Sequence, residues 1–281
     1  MAGRQFSVFG FLRLTRFWNL LIIGLAQYFA AGFLIDRQKI WDIHLFLLSF
    51  STVIIAAAGY IINDYYDIKI DLINKPERVV IGKEVARRYA LLFHSLLSIL
   101  GIAVGLFLNW KIGAVNFFSV FLLWWYSNDL KRQPFIGNFV VALLTGLSIF
   151  LINILYHLHQ PLVTIYALFA FAMTLVREIV KDAEDLKGDN TFGCRTLPIV
   201  WGIPKTKIFL YVLLLIFFIS VVEINQFFAQ LPMYYFFGFL FVPLVLLVVR
   251  LIRADTKKDF YNLSQWCKVI MLLGVASMIF I

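Results

Sequence analysis

Long, unbroken apolar runs constrain what this chain can fold into. They lie at roughly 17–35, 45–63, 90–108, 110–126, 136–156, 161–178, 206–224, 232–252 and 265–281. Each approaches the about 20 residues that a helix needs to cross the hydrocarbon core of a bilayer. Inside hydrocarbon the backbone must satisfy its own hydrogen bonds, which leaves only helices and closed barrels. Barrel strands alternate apolar and polar positions, and these runs do not. The chain is 62% hydrophobic with a mean hydropathy of +0.88, which excludes a soluble globular domain. The expectation is an all-α polytopic membrane protein with nine transmembrane helices, forming one domain over residues 1–281. Only Asn109-Trp110-Lys111 separates the third and fourth runs, so these form a tight helical hairpin.

Charge orients the bundle. Of the 25 Lys and Arg, only Arg37, Lys39 and Lys111 fall outside the N-terminal arm and the connections that follow even-numbered runs. By the positive-inside rule the arm and those connections are cytoplasmic, and nine crossings put the C-terminus outside. Arg4, Arg13 and Arg16 precede a full-length run, which reads as an anchor rather than a cleaved signal. The net charge of +9 is explained by contact with anionic membrane lipids and calls for no nucleic-acid partner. Cys194 and Cys267 fit neither a disulfide framework nor a metal spacing.

Two short segments hold half of the 16 carboxylates. The first runs from Asn63 to Asp71 and the second from Arg177 to Asp189. In a helix Asp64, Asp67 and Asp71 share a face, and Asn63 adds a neutral oxygen beside it. Glu178, Asp182, Asp185 and Asp189 are spaced to form one acidic stripe on a single helix, with Glu184 off it and structural. Arg177 and Lys181 make a separate cationic edge. Carboxylates this close repel one another unless a cation lies between them. Hard oxygen donors suit Mg²⁺, so two such ions bridging the clusters to a diphosphate are the natural expectation. Both clusters follow apolar runs four runs apart. That placement suggests two related halves, about 10–130 and 131–260, plus a last helix. The polar intervals around them carry turn signals and are expected to form short helices or ordered loops over the bundle mouth. His44, His94, His157 and His159 lie away from both clusters and read as structural or interfacial.

These segments resemble the UbiA superfamily of intramembrane prenyltransferases. Asn63, Asp64, Asp67 and Asp71 match its NDxxDxxxD motif, and Asp185 and Asp189 match its DxxxD motif, with Gly193 and Thr196 following. Tyr126-Ser127-Asn128-Asp129-Leu130-Lys131 is similar to its Tyr-Ser-x-x-Leu-Lys stretch. The stretches around Asn74-Lys75-Pro76-Glu77-Arg78 and Arg177–Asp185 are most similar to the branch that adds a geranylgeranyl group to geranylgeranylglyceryl phosphate. The chain departs from that pattern at Val79-Val80-Ile81-Gly82-Lys83, where relatives commonly read Arg-Pro-x-x-Ser-Gly.

The resemblance implies a UbiA-like bundle with a cytoplasm-facing active-site cavity and Mg²⁺-dependent prenyl transfer in lipid synthesis. Asn63, Asp64, Asp67, Asp71, Asp185 and Asp189 are then the metal ligands. Lys131, helped by Lys75 and Arg78, binds the donor diphosphate, and Tyr126 faces the allylic cation. Glu178, Lys181 and Asp182 position the polar acceptor or its phosphate. The spent diphosphate takes the proton, so no histidine base is required. The partners are a polyprenyl diphosphate donor, a lipid or aromatic acceptor, and the surrounding membrane lipids. Two other readings stand beside this one. Prenylation of an aromatic ring in quinone biosynthesis needs no anchor for a second phosphate. A cation-coupled transporter would carry its charges nearer mid-membrane.

Overall fold

The computed structural model describes residues 7–227 and 240–281. The described part consists of helices joined by short turns. In order they are α1 (Val8–Leu14), α2 (Phe17–Leu34), α3 (Ile43–Asn74), α4 (Arg87–Leu108), α5 (Trp110–Asn128), α6 (Ile136–Leu155), α7 (Pro161–Glu184), α8 (Leu186–Thr191), α9 (Leu197–Phe227), α10 (Val242–Arg253) and α11 (Lys257–Ser277).

Local chemistry sets where these helices begin. The Asp42 carboxylate accepts the His44 N–H at 2.9 Å and caps α3, and Asn109 does the same for α5 through Lys111. Pro161 opens α7, where its missing N–H costs nothing. Thr256 and Asp259 form a reciprocal capping box at the start of α11. Gly202, at φ 77°, and Pro204 kink α9 near its start.

Among the described residues, seven helices are long and apolar enough to cross a membrane: α2, α3, α4, α6, α7, α9 and α11. They coincide with seven of the nine expected crossings. The hairpin forms as expected, with Asn109 alone between α4 and α5. However, Trp110, Trp124, Trp125, Tyr126 and Asn116 dilute the hydropathy of α5. Residues 232–239 of the eighth expected run lie outside the described residues, and α10 covers its residues 242–252.

Two helices outrun the bilayer. At 1.5 Å per residue the 32 residues of α3 extend about 48 Å against a hydrocarbon core of about 30 Å. The helix therefore continues without a break through the first acidic segment. α7 likewise runs on to Glu184.

The core lies between helices and the outer surface is apolar. One buried cluster joins α7, α9, α10 and α11 through Met173, Ile179, Leu210, Leu247 and Cys267. Another joins α2, α3, α6 and α7 through Ala30, Leu45, Ile152 and Val163. The buried residues of α4 are all small, Ala90, Ser98, Gly101 and Gly105, while Leu96, Ile99 and Phe107 point outward. A Cβ on Gly101 would lie 2.5 Å from Ile55, so glycine allows α4 to approach α3 this closely.

The divergent segment at 79–83 has its own packing reason. Val79, Val80, Ile81 and Val85 are buried, and Val80, Ile81 and Val85 pack against Leu14 and Ile61. Arg13 pins that cap by reaching Glu84 at 2.7 Å and the Glu77 carbonyl at 2.9 Å.

Candidate active site

The first acidic bank stands on one face of α3, and two of its aspartates each meet a cation. Arg16, in a left-handed turn at φ 53° before α2, donates to Asp64 Oδ1 at 2.8 Å and lies 4.7 Å above the Tyr60 ring. Lys131, in the single helical turn after α5, sits 2.6 Å from Asp67 Oδ1. Asn63 has a buried Oδ1 with no hydrogen-bond partner.

The second bank differs from the expected stripe. α7 ends at Glu184, Asp185 adopts φ −93° and ψ 6°, and the chain restarts as α8. Glu178 and Asp182 therefore belong to one helix, and Asp189 to another, with Asp185 at the junction. The DxxxD pair survives across one turn, with Asp189 N–H on the Asp185 carbonyl at 3.2 Å.

The reason for the break lies on α3. The Asn74 amide donates to the Asp185 carbonyl at 3.0 Å, and its oxygen accepts the Gly188 N–H at 2.9 Å. A Cβ at Gly188 would lie 2.4–2.5 Å from the Asn74 side chain, so glycine makes that clamp possible. Lys257 then donates to the Asn74 carbonyl at 2.7 Å and ties in α11.

The clamp brings the two banks together. Lys75 Nζ, just past the end of α3, reaches the second bank, 2.7 Å from Asp185 Oδ1 and 3.0 Å from Glu184 Oε1. Burial alone would weaken its charge, but Asp185 and then Glu184 hold its pKa above the ordinary value. Asp71 lies within electrostatic range of Asp185, and Asp189 within range of Asp67. Burial, then Asp185 and Asp67, push the Asp189 pKa up to about 7.

The remaining expected residues occupy distinct places. Glu178 accepts from Arg177 Nη1 at 2.5 Å and from Lys181 Nζ at 3.0 Å, so the expected cationic edge is folded onto it. Asp182 accepts from the Asn138 amide at 2.9 Å. Tyr126 lines the interior cavity. Arg78 is 55% exposed and only 4.0 Å from Glu77, so it remains at the solvated rim.

Four contributors escaped the motif reading. Arg16 looked like one more topology-setting cation, and Asn74 lay beyond the matched aspartates. Glu184 was read as off the stripe, and Asn138 sits inside an apolar run. The one available signal was polarity inside or beside membrane-length segments.

Beneath the mouth lies a cavity of about 230 Å³. Ile55, Leu123, Leu144, Leu147 and Met271 line its apolar depth, and Arg16, Asn63, Tyr126, Glu178 and Lys181 its polar end. None of the four histidines lines it. Such a space can shelter an isoprenoid chain and exclude water from its reactive end.

The donors at the mouth fit Mg²⁺. All are oxygens, and the unpartnered Asn63 oxygen lies next to Asp64. Among the described residues no three carboxylates, histidines or cysteines converge closely enough to chelate an ion alone. Mg²⁺ characteristically takes one or two carboxylates and fills its octahedron with phosphate oxygens and water. Two sparse banks facing a diphosphate match that habit better than a closed protein cage does.

The sequence pattern of the UbiA prenyltransferase family matches residues 20–268. The digeranylgeranylglyceryl phosphate synthase of Saccharolobus solfataricus is 36% identical over 281 residues, covering 96% of this chain and 95% of that one. Its counterpart from Sulfurisphaera tokodaii is 36% identical over 256 residues, covering 89% of each. A solved digeranylgeranylglyceryl phosphate synthase structure superposes with a TM-score of 0.70 at 26% identity, over 96% of both chains. A UbiA homolog from Archaeoglobus fulgidus bound to DMAPP and Mg²⁺ superposes with a TM-score of 0.67 at 17% identity, over 95% of this chain and 98% of that one. The last likeness is one of fold.

Proposed function

The chain belongs to the UbiA prenyltransferase family, and on that premise we propose that it transfers a geranylgeranyl group from its diphosphate to the free hydroxyl of geranylgeranylglyceryl phosphate. It is an integral, multi-pass membrane enzyme. One observation carries the reading: two acidic banks, on α3 and around α8, are clamped together beside an apolar cavity that Asn63 lines.

Asn63, Asp64, Asp67 and Asp71 form one half of the metal site, and Asp185 and Asp189 the other. These residues would hold two Mg²⁺ ions, which would supply positive charge to the diphosphate leaving group. Lys131 and Lys75 now pair with carboxylates of the two banks and turn to diphosphate oxygens when the donor binds. Arg78 screens the same charge from the rim.

The bond between C1 and oxygen breaks with its electron pair passing to pyrophosphate. The Tyr126 ring faces the resulting allylic cation, and the acceptor hydroxyl oxygen bonds to C1. Its proton leaves to a pyrophosphate oxygen, and the products are an ether and inorganic pyrophosphate. Glu178, Lys181 and Asp182 hold the polar end of the acceptor. The nine-helix count, the cytoplasmic orientation of the mouth, and the two related halves within one domain complete the reading, supported by the cation asymmetry and by the placement of the acidic segments.

Purified protein supplied with geranylgeranyl diphosphate, Mg²⁺ and either acceptor class tests it, with the product identified by mass. Ether product from the glyceryl phosphate is expected, and Asp64→Ala or Asp185→Ala should abolish it without removing folded protein from the membrane. A prenylated aromatic product in its place would overturn the acceptor assignment. Near wild-type activity in either variant would overturn the two-bank site. Flux of a cation without pyrophosphate release would favour a transporter.

A further inference from the structure

The polar end of the cavity carries more positive charge than the donor site accounts for. Arg16, Arg177, Lys181 and Lys268 all line it, against the single lining carboxylate of Glu178. Asp64 offsets Arg16 from outside the cavity, and Glu178 offsets one of the two cations that it binds. Asp182, one helical turn on, takes its hydrogen bond from the neutral Asn138 amide. Of the lining groups, Arg177 and Lys181 share Glu178, with Asp182 in electrostatic range of Lys181, while Lys268 has no carboxylate of its own. Lys268 makes no ion pair or hydrogen bond among the described residues, and it comes from a different helix, α11.

Two orphaned polar atoms lie at the same place. Arg177 lines the cavity with a buried Nε that has no partner, although its Nη1 is engaged by Glu178. Thr174, one turn earlier on α7 and 3% exposed, lines the cavity with an unpartnered Oγ1. Buried donors are rarely left unpaired in a native protein, so both groups call for an acceptor, and the surrounding cations favour one that is anionic. None of the five aspartates of the two banks lines this cavity. Asn63 of the first bank lines the same polar end, so the cationic locus adjoins the metal–diphosphate site without sharing its aspartates.

We propose that Arg177, Lys181 and Lys268, with Thr174, form a phosphomonoester subsite that holds the phosphate of the acceptor lipid and so selects a phosphorylated alcohol. Glu178 is the positioning residue, since it holds both Arg177 and Lys181. A phosphomonoester carries about −1.5 to −2 charge at neutral pH, which suits a cluster of three cations sharing one lining carboxylate. Guanidinium geometry adds paired N–H donors suited to phosphate oxygens. The assignment deepens the proposed function and rests on it, because the acceptor hydroxyl must reach the allylic carbon while its phosphate is anchored here.

The test compares geranylgeranylglyceryl phosphate with geranylgeranylglycerol, its dephosphorylated counterpart, as acceptors for purified enzyme. With Lys268→Met the kcat/KM for the phosphorylated acceptor should fall about tenfold or more, equivalent to losing about 1.4 kcal/mol of binding. The fall should appear in acceptor KM, should be several-fold smaller for geranylgeranylglycerol, and should leave donor KM within about twofold. Lys268→Arg should recover most of the loss. Glycerol 1-phosphate should compete with the acceptor and not with the donor. Equal losses on both acceptors, or a rise confined to donor KM, would overturn the subsite. If the wild-type enzyme used neither glyceryl acceptor, the proposed function itself would fail. Wild-type turnover with unselective variants would sink only the phosphate subsite.

Discussion

Asn74 does no chemistry and yet decides whether there is a site. Its amide spans from α3 to the Asp185 carbonyl and the Gly188 N–H, both of which lie beside the second bank. Replacing it by alanine strands those groups in a buried setting, at a cost of about 1–3 kcal/mol. Asn74→Ala should therefore lower the melting temperature in detergent and weaken Mg²⁺-dependent donor binding together. Unchanged donor binding in a destabilised protein would show that the clamp serves stability alone. Asp189 makes a second prediction. Its metal-free pKa is pushed up to about 7, above the ordinary carboxylate value, so the folded protein holds a proton there until the pH passes that point. Mg²⁺ must displace that proton. Apparent Mg²⁺ affinity, titrated by calorimetry with a non-reactive donor analogue present, should rise from pH 6 to pH 8 and then level. A flat profile would contradict the placement of Asp189 among the metal ligands.

At the scale of the element, the two banks were unequally visible in the sequence. Asn63 to Asp71 lie on one uninterrupted helix, so residue spacing translated directly into a shared face. The second bank crosses a helix break, and spacing carries no information about direction once the backbone turns at Asp185. Glu184 fell off the imagined stripe for the same reason, although it is buried and paired with Lys75. Long-range partners such as Arg16 with Asp64 depend on which helices become neighbours, and no local pattern encodes that. Helix packing offers its own test. Gly101→Val on α4 puts branched carbon where a Cβ already lies 2.5 Å from Ile55, and overpacking of this kind costs about 1–3 kcal/mol. Leu96→Ala, on the outward face at 53% exposure, should stay within about 0.5 kcal/mol of wild type. Thermal unfolding in detergent should separate the two. Similar shifts would mean that α4 does not pack through its glycines.

For the whole molecule, hydropathy made the fold class legible, because bilayer physics leaves long apolar runs few alternatives. Charge asymmetry added an orientation with its own consequence. Cysteines introduced at exposed Lys187 and exposed Lys111 should be labelled from opposite sides of the membrane, Lys187 from the cytoplasm. Labelling of both from one side would reject the topology. What hydropathy could not convey is how two distant polar segments meet over one greasy cavity, and the central claim concerns that meeting. Its most direct test is calorimetric titration of wild-type protein, Asp67→Asn and Asp189→Asn with a non-reactive geranylgeranyl diphosphate analogue, with and without Mg²⁺. Mg²⁺-dependent binding is expected in the wild type and its loss in both variants, since each removes one carboxylate from one bank. Wild-type, Mg²⁺-dependent affinity in either variant would mean that one bank suffices and that the site is not built across the two.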